Sequence, residues 1–195
     1  MLLRTEDPIE PVREDAYRHG MRLRVARTDA FGGADFATTR LRIPWTPEEG
    51  LFVFDQFGGA TPIEIPLPVD FVARGTFPYV ILSCHDGDSA FLAQRWFDRP
   101  IGSWKKLGDV GVDSASVCLT PRSVAERISG DGLAEAEKLV QDSPDLWAQV
   151  ALDARPTLGV RITSGDGSYP LQLALDASGA AIGWVLELGI ADTTA

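Results

Sequence analysis

The sequence predicts an α+β protein: mostly antiparallel β-sheet in a sandwich, with two similar hairpins and a short helical segment inserted between two strand groups. Three observations predict it. Apolar and polar residues alternate in short runs on both sides of a central block, the block alone shows helical spacing, and no regular β-α alternation runs through the chain.

The first twenty residues carry mixed charge, Pro8 and Pro11, and no sustained period. They read as a mobile arm, residues 1–20, ahead of a single globular domain over residues 21–192. Alternation starts at Met21-Arg22-Leu23-Arg24-Val25 and returns at Thr39-Arg40-Leu41-Arg42-Ile43, with Phe31-Gly32-Gly33-Ala34-Asp35 as the intervening loop. Residues 51–57 and 61–66 read as strands joined across Gly58-Gly59. The apolar run 77–84 predicts a strand covered on both faces, and Asp86-Gly87-Asp88 turns it into a partner strand over 91–97. A short strand over 99–106 follows.

In the middle, Thr120-Pro121 predicts an N-cap with proline at the first helical position, and Val124 and Ile128 share a face. Asp131 is placed to cap a second helix with Leu133, Ala136 and Val140 inward. Ser143-Pro144 repeats the signal and predicts a third helix carrying Leu146, Trp147 and Val150. Residues 158–163, 169–176 and 180–188 then read as three strands, the last two joined at Asp176-Ala177-Ser178-Gly179. Gly75-Thr76-Phe77-Pro78-Tyr79-Val80 is matched by Gly167-Ser168-Tyr169-Pro170-Leu171, each leading through a turn into a strand with a tryptophan, Trp96 or Trp184. Proline lacks a ladder donor, so both strands are expected to begin at an edge or just before regular pairing.

Size and charge narrow the function. A chain of 195 residues buries roughly 70% of its unfolded surface and needs no staple. A net charge of −10 argues against nucleic acid and anionic membrane and suits a basic partner, or solubility alone. Cys84 and Cys118 are too few and too far apart for a disulfide framework and are expected to be buried thiols. No signal-peptide core opens the chain, and no apolar run reaches the eighteen or so residues of a membrane helix, so the expected location is cytoplasmic.

Candidate chemistry gathers in two loops. In Gly165-Asp166-Gly167-Ser168-Tyr169, two glycines around a carboxylate allow an anion on the loop amides or a cation on Asp166; the plainer reading is a tight turn with Asp166 capping its own backbone. Asp113 and Ser114 precede a short apolar segment, and if the strand groups face each other, Asp113 approaches Asp166 as a metal or shared-proton pair. Cys84 and His85 are adjacent on a strand and point to opposite faces, so they form no nucleophile–base pair. No zinc spacing, phosphate loop or nucleophile elbow is present, and no catalytic residue, metal ligand or cofactor is assigned. The tryptophans are expected in the core at 96, 147 and 184, while Trp45 and Trp104 leave a sugar-stacking surface open. Glu126, Asp131, Glu135, Glu137, Asp142, Asp145 and Asp153 face only Arg127 and Lys138, which makes the helical block either a partner surface or a solvated face.

Gly75 to Val80, Val112 to Ala115 and Gly165 to Leu171 together resemble the motifs of a bacterial family, domain-of-unknown-function family 4241: Gly-x-Tyr-Pro-Val, Val-Asp-x-Gly and Gly-Asp-Gly-Ser-Tyr-Pro-Val-Tyr, in that order. The likeness runs from about Arg40 to Leu188. Ala115 stands where the family often has glycine, Leu171-Gln172 where it has Val-Tyr, and Phe54-Asp55-Gln56 where an Asp-Pro pair is expected. The resemblance implies the fold and a bacterial origin, not a mechanism. The leading expectation is a non-enzymatic binding protein, an immunity protein that neutralises a basic toxin through its acidic surface. The rivals are an enzyme or small-ligand or metal-binding protein at Asp113 and Asp166, and a β-rich carbohydrate binder.

Overall fold

A computed structural model describes residues 36–85, 87–127, 133–152 and 154–189. The arm, the strand at 21–25, the loop at 31–35, and Asp86, Ile128, Asp131 and Asp153 lie outside the described residues.

Two antiparallel sheets face each other. The six-stranded sheet has the order β1-β4-β5-β11-β10-β6, formed by β1 (Ala37–Leu41), β4 (Val80–His85), β5 (Asp88–Arg95), β11 (Ala181–Glu187), β10 (Gly167–Leu175) and β6 (Ser103–Val112). The five-stranded sheet runs β3-β2-β7-β9-β8, from β3 (Ile63–Glu64) and β2 (Phe52–Phe54) through β7 (Ser116–Thr120) and β9 (Arg155–Arg161) to β8 (Trp147–Leu152). Period-two alternation explains the layering. Val80, Leu82 and Leu92 of one sheet and Val53, Val117, Leu119, Leu158 and Val160 of the other point into one shared core, with Leu171, Leu173, Trp184 and Leu186. The outer face of the smaller sheet is covered by two helices, α2 (Arg122–Ala125) and α3 (Leu133–Gln141), through Val124, Ala136, Val140, Val150 and Leu152. A further short helix, α1 (Val69–Val72), and a 3-10 turn at Pro47–Glu49 were not signalled by periodicity, being a single turn each.

The two similar hairpins are β4–β5 and β10–β11, and they lie side by side because β5 pairs with β11, Trp184 opposite Gln94. Their tryptophans meet at one buried amide. Gln94 Oε1 accepts from Trp96 Nε1 at 2.9 Å and from Trp184 Nε1 at 3.3 Å, while Gln94 Nε2 donates to the carbonyl of Pro78 at 3.0 Å. Pro78 precedes β4 as expected, whereas Pro170 does not open its strand: β10 begins at Gly167, and Pro170 stands inside the ladder with β6, opposite Asp109, one residue before the first β10–β11 pair, Leu171 with Leu186.

Three local expectations are corrected. Ser143-Pro144 starts no helix: Ser143 Oγ donates to the carbonyl of Trp147 at 2.6 Å, Leu146 turns the chain with φ 64°, and β8 follows with Val150 and Leu152 buried at every second position. Thr120 does not cap α2; it is the last residue of β7, and Pro121 takes the N-cap position with no side-chain cap. The strand expected over 99–106 is the longer β6, reaching Val112.

Candidate functional site

The topology brings three loops to one corner. The chain leaves β6 in the larger sheet and enters β7 in the smaller one through Asp113-Ser114-Ala115; it returns from β9 to β10 through residues 162–166. These crossings run together because β6 pairs with β10, Val112 with Gly167, and β7 pairs with β9, Ser116 with Arg161. The third loop follows β2, which pairs with β7 from the other side.

Asp55, at the end of β2, is fully buried and holds the corner. Its Oδ2 accepts the amides of Asp113 at 2.7 Å and Ser114 at 2.8 Å. Its Oδ1 accepts the Ser114 hydroxyl at 2.6 Å and the amide of Gly58 at 2.8 Å. Four donors around a carboxylate are the furnishings of an anion site, with the anion supplied by the chain itself. Gly58 is required here, since a Cβ on it would stand 2.3 Å from Asp55 Oδ2.

The sequence-predicted loop residues share this corner: Asp166 and Tyr169 bond to backbone groups there, while Asp113 and Ser168 are exposed. Asp166 Oδ1 accepts the amide of Ala115 at 3.0 Å, so Asp166 caps a neighbouring loop and not its own turn. Tyr169 is buried, its hydroxyl donates to the carbonyl of Gly165 at 2.6 Å, and burial pushes its pKa up. Ser164 Oγ, 3.0 Å from that hydroxyl, donates to the carbonyl of Leu188. Thr163 and Ser89 exchange amide-to-hydroxyl hydrogen bonds at 3.0 and 3.1 Å, tying the loop to β5. Gly165 takes a left-handed φ of 86°, Gly167 opens β10 against the Tyr169 ring, and Ser168 is exposed. Ser114 is drawn inward by Asp55, whereas the side chain of Asp113 is exposed. Ala115 has φ 51°, a left-handed conformation that favours glycine. Among the described residues, no group of three His, Cys, Asp or Glu is placed to hold a metal ion.

Asp55 is the residue that sequence reasoning missed. The signal was present as a polar residue closing an apolar strand, three positions before a Gly-Gly pair. Cys118, which lies beside it on β7, is a buried thiol whose pKa is pushed far up by burial and the nearby Asp55 charge; Cys84 is half-buried. Trp45 is buried, with Nε1 donating to the carbonyl of Gly50 at 3.0 Å, and Trp104 packs partly buried against the Phe91 and Val185 cluster. Trp147 is half-buried at the rim of the main core.

The second candidate is the acidic helical side. Glu126, Glu135, Asp142 and Asp145 are exposed and Glu137 is half-buried. Glu135 and Asp142 are seven residues apart on and just past α3, so they share its outward stripe. Lys138 forms an ion pair with Asp142. Next to α2, an open groove of about 250 Å³ is lined by Glu48, Glu49, Arg122, Ser123, Glu126 and Arg155. Arg122 pairs with Glu64 at 2.9 Å and Arg155 approaches Glu49 at 3.9 Å, so the two arginines answer acidic neighbours.

Compared with known proteins, the chain matches no protein-family model, no curated protein and no solved structure. No helix among the described residues is long and apolar enough to cross a membrane.

Proposed function

We propose that this chain is a non-enzymatic binding protein of a bacterial conflict system, a cytoplasmic immunity protein that neutralises a basic toxin. The observation that carries this reading is a division among the carboxylates. Asp55 and Asp166 are engaged by backbone amides at the loop corner, whereas Glu126, Glu135, Asp142 and Asp145 stand exposed along the helical side. In a chain of net charge −10, such a surface steers a cationic partner and selects it by charge. The likeness to family 4241 belongs to the same reading: the second and third of the segments that carry it adjoin at the Asp55 corner, which supports a scaffold role for them.

The test is affinity capture of the products of adjacent genes at low and high salt. A basic partner that is retained at low salt and lost at high salt supports the proposal. Reversing two charges, Glu135→Lys with Asp142→Lys, should weaken capture roughly tenfold or more. Neighbouring genes that encode no toxin, together with no basic partner, would end it. A second reading, a small-ligand or metal-binding protein, rests on the exposed Asp113 carboxylate beside the Asp166 loop. Calorimetric titration with divalent cations, giving heat that Asp113→Asn abolishes, would favour it.

A further inference from the structure

We infer that the chain's own residues 1–35 dock across the outer face of the six-stranded sheet, as a strap over a second apolar patch.

Strand register defines the patch. Leu82, Leu92 and Leu186 point into the shared core, so the residues alternating with them point away from the smaller sheet. Pairing sets one row across that outer face: Arg40, Ile81, Ala93, Val185, Gln172 and Lys106. Ser83, Phe91 and Glu187 stand in the next. Phe91, Ala93 and Val185 form a cluster of their own at 0% exposure, and Ser83, Gln172 and Glu187 around them are buried as well. No described helix lies over them, since α2 and α3 cover the smaller sheet and α1 turns Phe71 into the main core. Phe36 and Trp104 pack against the cluster and are themselves only half-buried. An outer sheet face open to water would not hide three apolar side chains completely.

The hiding is achieved within one copy of the chain, and its position selects the first segment. Of the other stretches outside the described residues, 128–132 joins α2 to α3 on the opposite sheet, and 190–195 carries one large apolar side chain, Ile190. Phe36 marks where residues 1–35 arrive: its ring centroid lies 5.6 Å from that of Phe91 and 5.8 Å from that of His85. Six strands span about 24 Å, well within the reach of a segment of this length.

The chemistry of the segment fits the face. Met21, Leu23 and Val25 offer apolar side chains at alternate positions for the centre. Glu6, Asp7, Glu10, Glu14 and Asp15 outnumber Arg4, Arg13 and Arg18. That excess of carboxylates suits a row ending in Arg40 on one side and Lys106, which also pairs with Asp109, on the other. The inference draws on register and burial alone, so it stands or falls apart from the toxin reading.

Trypsin digestion of the full chain, followed by mass spectrometry, tests the strap. Cleavage after Arg22, Arg24 and Arg27 should be roughly tenfold or more slower than in a synthetic peptide of residues 1–35, and unchanged on dilution. Phe91→Ala, which alters no cleavage site, should restore most of the lost rate and raise the binding of an apolar dye. Leu23→Ser with Val25→Ser should do the same from the segment's side, and Arg40→Glu, at an exposed position, should act in the same direction. Circular dichroism checks that each variant is folded. Wild-type cleavage as fast as in the peptide, or protection that no folded variant relieves, would overturn the inference. Protection that fades on dilution would also overturn it and assign the face to a second copy.

Discussion

At the scale of single residues, the molecule turns on a carboxylate that is sealed from water and still fully bonded. Asp55 sits in a ring of three amides and a hydroxyl. Removing its charge leaves buried donors facing a weaker acceptor, and charged hydrogen bonds of this kind are worth about 1.5–3 kcal/mol each before compensation. Asp55→Asn should therefore cost about 2–4 kcal/mol in urea unfolding, and Asp55→Ala more. Ala115 is the opposite case. Its φ of 51° strains an alanine and suits a glycine, so Ala115→Gly should gain roughly 0.5–1 kcal/mol by the same assay. Asp176 gives a pH signature: hydrogen bonds from Ser178 and then Arg99 lower its pKa from 3.8 to about 2. A depressed carboxylate stabilises the fold above its unfolded pKa and loses that contribution as pH falls through the folded one. Stability should drop between about pH 4 and pH 2, and the drop should be smaller in Asp176→Asn. The Gly165-Asp166-Gly167 turn was legible in the sequence because its glycines are local. The partner of Asp113 and Ser114 was not, since Asp55 lies 58 residues from Asp113 and its flanking residues form no motif.

At the scale of elements, α3 rests on β9 at a point where only glycine fits. A Cβ on Gly159 would stand 2.3 Å from Val140 Cγ2. Gly159→Ala should cost roughly 1–3 kcal/mol by overpacking, and Val140→Ala in the same chain should recover part of it; additive losses would mean that the two residues are not in contact. Gln94 ties the two hairpins together through both indoles, and Gln94→Leu should cost about 2–3 kcal/mol by orphaning them in the core. The hairpins were readable because a strand, a turn and a return strand leave a local pattern of alternation. β8 was not, because Ser-Pro opens helices and loops alike. What decided the outcome was the left-handed Leu146 and the alternate burial of Val150 and Leu152, which depends on α3 being overhead. Thr120 misled for a similar reason: strand pairing with Phe52 outweighed its capping preference.

For the whole molecule, the buried fastening and the acidic face lie at different places. The two sheets close over one interior, the three loops are fastened at one end by Asp55, and Glu126, Glu135, Asp142 and Asp145 stand exposed on the helical side. The sandwich was visible in the sequence as alternation on both sides of the helical block, but the pairing order was not, because register between distant strands leaves no local mark. The most direct test is urea unfolding of the wild type and Asp55→Asn, followed in parallel by tryptophan fluorescence and far-UV circular dichroism. One coincident transition is expected in both, displaced to lower urea in the variant by about 2–4 kcal/mol. An unchanged midpoint, or two sheets that melt separately in the wild type, would contradict a single interior fastened by its own buried anion.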